Sequence, residues 1–168
     1  MSNPGETAWQ ESLASLPVAT FDAGVTVVEQ GATSGRLLIL KSGAVSVTKD
    51  GVEIAKVSEP GAVFGELSAL LGQPHTADVR AIEPSAFHVA DANTLLTREP
   101  AALLYVATLL AKRLDLANRG LIELKGELAA GAPPSLMRST LSKVESLLSS
   151  IGAGYITAGA AYSRAPFM

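Results

Sequence analysis

The chain has 168 residues, 48% of them hydrophobic and 17% charged, which is enough to bury a core and reads as globular rather than disordered. It contains no cysteine, so disulfides, thiolate metal sites and cysteine nucleophiles are excluded. Its net charge is −3 and its basic residues are scattered singly apart from Lys112–Arg113, which argues against a nucleic-acid surface.

In chain order, Glu6 to Leu16 predicts a short helix with Trp9, Leu13 and Leu16 on one face, ended by Pro17. From Val18 to Ala90 short aliphatic and β-branched runs alternate with turn residues. These are Val25–Val28, Leu37–Leu40, Ala44–Thr48, Val52–Val57, Ala77–Ile82 and Ala86–Ala90. Asp50–Gly51 marks a tight hairpin turn between two of them. Many short, regularly spaced strands predict an antiparallel jelly-roll or β-roll barrel. Glu66 to Leu71 lacks β-branched residues and predicts one or two helical turns between strands.

After Asp91 the pattern becomes helical. Ala92 to Arg98 predicts a short helix, and Pro100 opens a long one reaching about Leu128. Ala107, Leu110, Leu114, Ala117, Leu121, Leu124 and Leu128 form a heptad seam along it. That seam fits either packing on the barrel or a parallel homodimer through residues 100–128. Gly120 and Gly126 weaken the helix by roughly 1 kcal/mol each relative to Ala. After the break at Gly131–Pro134, Ser135 to Ile151 predicts an amphipathic helix with Met137, Leu141, Val144 and Leu148 on one face. The expected organisation is a domain over residues 1–130, an extra helix over 131–151 and a flexible tail over 152–168. The N-terminus lacks the build of a signal peptide and no apolar run reaches spanning length, so a cytoplasmic protein without membrane contact is expected.

The chemistry concentrates between Phe64 and Ala77. Gly65 permits a backbone conformation closed to other residues, and the short helix after it begins with unpartnered N–H groups that suit an anion. Glu66 can accept from a ligand hydroxyl, and Gly72 and Pro74 return the chain toward His75 and Thr76. A helical loop that merely caps the barrel fits the same residues.

This segment resembles the phosphate-binding cassette of the cyclic-nucleotide-binding domain family: Phe-Gly-Glu-Leu, a short apolar helix, then Pro, Arg, a small residue and Ala. Gln30–Gly31 and the spacing from Leu38 to Gly43 also resemble that family, over roughly Leu13 to Leu128. The resemblance implies a mainly β roll with flanking helices: a short N-terminal helix, a cassette helix and a long C-terminal helix. It implies cAMP or cGMP as ligand, with no other cofactor, and a sensor that signals to a homodimer or an unidentified protein partner. The ribose role falls on Glu66 and the backbone phosphate donors on Leu67, Ser68, Thr76 and Ala77, following Phe64–Gly65. Asn118 or Arg119 would meet the base, and Thr76 hints at guanine. The family's arginine is His75 here. Arginine is a permanently charged fork, whereas imidazole offers one bond per ring nitrogen, so the loss is worth about 1.5–3 kcal/mol of affinity. Binding that strengthens as pH falls is the corresponding expectation. The alternative is a degenerate domain that scaffolds dimerisation or protein contacts without nucleotide.

Enzymatic function is not expected. His75 and His88 stand in separate segments, without the clustered histidines of a metal site, and neither a nucleophile elbow nor a P-loop is present. DNA binding is not expected either, because the forty residues after Leu128 hold one amphipathic helix with two basic residues, Arg138 and Lys143.

Overall fold

A computed structural model describes residues 4–150; the tail expected over 152–168 lies outside them. Helix α1 (Pro4–Ser15) leads into eight strands: β1 (Val18–Phe21), β2 (Thr26–Val28), β3 (Arg36–Ser42), β4 (Val45–Lys49), β5 (Val52–Val57), β6 (Val63–Phe64), β7 (Asp78–Ala81) and β8 (Ser85–Asp91). Helix α2 (Glu66–Leu71) interrupts them after β6, and α3 (Ala92–Arg98), α4 (Pro100–Ala129) and α5 (Pro134–Ser150) follow. The strands form two antiparallel four-stranded sheets, ordered β1-β8-β3-β6 and β2-β7-β4-β5. This is the expected β-roll with flanking helices.

Side chains alternate across each strand, so a strand covered on both faces must be apolar throughout. The Leu37–Leu40 run of β3 meets that condition. Leu38 and Leu40 point into the roll with Val45, Val57, Phe64, Val79 and Phe87, while Leu37 and Ile39 pack on the helices. The helical layer contributes Trp9 and Leu13 from α1, Leu95 and Leu96 from α3, and Ala102, Tyr105, Val106 and Leu109 from α4. Trp9 stacks on Tyr105 with ring centroids 4.6 Å apart, and the Tyr105 hydroxyl donates to the Gly61 carbonyl at 2.6 Å. That bond ties α4 to the loop leading into β6, directly ahead of the cassette. The hairpin turn predicted at Asp50–Gly51 has positive φ at both residues, as a type I′ turn requires.

The long helix buries a different stripe from the heptad seam. Ala102, Tyr105, Val106, Leu109, Leu116 and Gly120 are buried, while Leu114, Leu121 and Leu128 of the seam are 63%, 52% and 68% exposed. Of the seam, Leu110 packs against the helical core, whereas these three leucines face solvent. α5 folds back along the C-terminal half of α4 and also reaches β5. Gly120 makes this possible, since a Cβ there would collide with Val144. The α5 face also differs from expectation: Thr140 is fully buried and donates to Glu127 Oε1 at 2.6 Å, whereas Leu141 is 46% exposed.

Candidate functional site

α2 starts where β6 ends. Gly65 precedes it with φ 92°, and Gly72 closes it with φ 63°, its N–H donating to the Ser68 carbonyl. Gly65 is required twice over: its φ lies in the left-handed region, and a Cβ would strike the Arg36 carbonyl oxygen. The strand-to-helix corner therefore presses against the start of β3.

Glu66, first residue of α2, is buried. Its Oε1 accepts from Arg113 Nη1 of α4 at 2.7 Å, with side-chain exposures of 8% for Glu66 and 27% for Arg113. A buried carboxylate needs such a partner, because desolvation without compensation would be costly. Burial with a guanidinium on one oxygen leaves Oε2 as the free acceptor edge of the carboxylate.

His75 is 6% exposed. Its Nε2 lies 2.8 Å from Ser34 Oγ, and its Cε1 stands 3.6 Å from where a Gly65 Cβ would be. Its backbone is bound to the same β2–β3 loop: His75 N–H donates to the Ala32 carbonyl at 2.9 Å, and Gly31 N–H donates to the His75 carbonyl at 2.8 Å. Glu66, His75 and the Gly65 backbone thus surround one corner of the roll.

The other predicted residues divide. Phe64 is a core residue, edge-on to Phe87 at 6.1 Å, which positions Gly65 from behind. Ser68 is buried and its hydroxyl donates to the Gln73 carbonyl at 2.5 Å, so it fastens the return turn and is committed there. Leu67 is exposed, and Thr76 and Ala77 are half-buried where the chain enters β7. Asn118 is exposed, and at 100° per residue it leaves α4 about 140° around the axis from Arg113. Arg119 pairs with Asp115 at 3.0 Å on the helix surface. His88 sits half-buried on β8 opposite Ile39, and burial together with Lys41 lowers its pKa below the ordinary histidine value.

Arg113 and Ser34 were not anticipated. Arg113 carries no motif, and its partner lies 47 positions away. No group of three or more His, Cys, Asp or Glu side chains able to hold a metal occurs among the described residues, and none of their helices is long and apolar enough to cross a membrane.

Residues 18–97 match the family model of the cyclic nucleotide-binding domain. Among curated proteins, a cAMP-dependent protein kinase regulatory subunit of Yarrowia lipolytica is 38% identical over 82 residues, 49% of this chain and 22% of the relative. The match thus spans under a quarter of that relative's length. Among solved structures, a cyclic nucleotide-binding domain from Methylobacillus flagellatus superposes with a TM-score of 0.57 at 24% identity, covering 68% of this chain and 71% of the other. The Thermus thermophilus catabolite activator protein gives 0.56 at 24% identity, over 84% and 81%. These two likenesses show the fold. Residues 18–97 belong to the cyclic nucleotide-binding domain family.

Proposed function

We propose that this chain is a non-catalytic regulatory module that takes up cAMP or cGMP at the Gly65–Leu67 turn and passes its occupancy through α4 to a partner or a second copy. The observation that carries this reading is the Glu66–Arg113 ion pair, which joins the cassette to the long helix. A ribose hydroxyl can donate to the second oxygen of Glu66. Arg113 spends Nη1 on Glu66 and has further donors in its fork. It therefore supplies permanent positive charge at a corner where His75 replaces the expected arginine. A ligand that recruits Glu66 or Arg113 changes the attachment of α4, and that differential contact is what shifts a conformational equilibrium. The cAMP dependence in the name of the regulatory-subunit relative supports the choice of ligand class.

Isothermal titration with cAMP and cGMP, at neutral and mildly acidic pH, tests the reading. Heat and a raised Tm are expected. Neither heat nor a Tm shift at millimolar ligand would leave the second reading, a scaffold whose Glu66 is satisfied by Arg113 alone.

For output, the stripe of Leu103, Leu114, Leu121 and Leu128 is exposed along α4. Contiguous apolar surface of this kind marks an interaction face, and the heptad spacing suits a second copy. Sedimentation should give a dimer that Leu114→Glu with Leu121→Glu converts to a monomer. A monomeric parent chain at high micromolar concentration would remove the homodimer.

A further inference from the structure

Ser34 lies in the exposed β2–β3 loop, yet its hydroxyl is one of the closest polar neighbours of the buried His75 ring. We infer that Ser34 is a positioning residue that fixes His75 as its Nδ1–H tautomer, so that a neutral imidazole presents a donor to an anionic phosphodiester at the Gly65–Leu67 turn. The inference rests on the nucleotide-binding reading above.

A serine hydroxyl has one proton and two lone pairs. The Arg36 N–H donates to Ser34 Oγ at 3.2 Å and occupies one lone pair. One proton and one lone pair remain for His75 Nε2, 2.8 Å away. If the hydroxyl donates, Nε2 is the acceptor and the ring proton sits on Nδ1; if Nε2–H donates, Nδ1 carries a bare lone pair. The two states differ sharply toward an anion. The first offers an N–H, the second repels a phosphate oxygen. Because Cε1 lies against Gly65, the ring edge bearing Nδ1 and Nε2 borders the cassette. With Nε2 held by Ser34, Nδ1 is the nitrogen left for a ligand. The geometry is stiffened by the backbone bonds of His75 to Gly31 and Ala32 in the same loop, so ring and hydroxyl are carried by one rigid unit.

The test is long-range proton–nitrogen correlation spectroscopy on the full chain with labelled histidine, in which His88 is the one other signal. Ligand-free and cAMP-loaded protein should both carry the His75 proton on Nδ1. Ser34→Ala should mix the tautomers and weaken cAMP binding roughly threefold to tenfold, the value of one neutral hydrogen bond. Ser34→Thr keeps the hydroxyl and should restore both readouts. His75 protonated at Nε2, alone or together with Nδ1, overturns the assignment, as does a Ser34→Ala spectrum identical to the parent. If the parent binds no cyclic nucleotide, the functional reading fails, whereas the ligand-free spectrum still decides what Ser34 does.

Discussion

Replacing Gly65 by alanine should destabilise the protein by roughly 2–5 kcal/mol. The left-handed backbone at φ 92° contributes about 1–2 kcal/mol for any residue with a Cβ. The collision with the Arg36 carbonyl adds about 1–3 kcal/mol of overpacking, since the obstacle is backbone at the start of a central strand and cannot rotate aside. For a domain of this size the Tm should fall by roughly 10 °C. Gly72→Ala is the matched control. Its φ of 63° is also positive, but a Cβ there meets nothing within 4 Å, so only the conformational part applies. Thermal melts of the two variants separate the contributions. Equal losses would mean that the corner does not press on β3 and that the cassette is less fixed than the structure has it.

The features legible in the sequence are those that act over a few residues. The cassette helix was readable because Gly65, Gly72 and Pro74 punctuate a run without β-branched residues, and the structure starts and stops α2 at the residues expected. The hairpin at Asp50–Gly51 and the helix Ala92–Arg98 were readable for similar reasons. Asp91 caps the latter by accepting from Thr94 N–H at 2.8 Å, and hydrogen bonding by the Thr94 side chain, followed by this N–H, lowers the Asp91 pKa. β3 appeared as an unbroken apolar run because both of its faces are covered.

Features that depend on which surfaces meet were not legible. β6 is two residues long, too short to carry a period. The buried stripe of α4 uses Ala102, Tyr105 and Gly120 beside Leu109 and Leu116, whereas Leu114, Leu121 and Leu128 of the heptad seam face solvent. Gly120 read as a helix weakness, yet its missing side chain admits Val144 and so allows α5 to dock. Thr140 was not among the residues read as the apolar face of its helix, yet it is buried and bonded to Glu127. In the site, Glu66 and His75 stood inside a recognisable motif. Ser34 sat in a small polar loop, and Arg113 was one charge among several on a helix; only the fold assigns their partners.

The Glu66–Arg113 pair should behave as a coupled unit in a double-mutant cycle. Arg113→Ala leaves a buried carboxylate without its guanidinium, and the expected loss is about 2–3 kcal/mol. Glu66→Gln keeps an oxygen able to accept from Arg113, so its loss should be smaller, about 1 kcal/mol. In the double variant no unpaired buried charge remains, and much of the Arg113→Ala loss should return, giving an interaction energy of about 1–2 kcal/mol from denaturant melts. Strictly additive losses would place the pair among surface contacts of little consequence. Binding then separates two roles that stability cannot. If the guanidinium shares the ligand with Glu66, Arg113→Ala should weaken cAMP or cGMP binding tenfold or more, because a charged donor is lost from a largely dry corner. If instead Arg113 competes with the ribose for Glu66, the same variant should bind nucleotide more tightly while losing stability. α4 would then act as a latch that ligand must release, and the exposed leucines of that helix would be the surface through which the release is read.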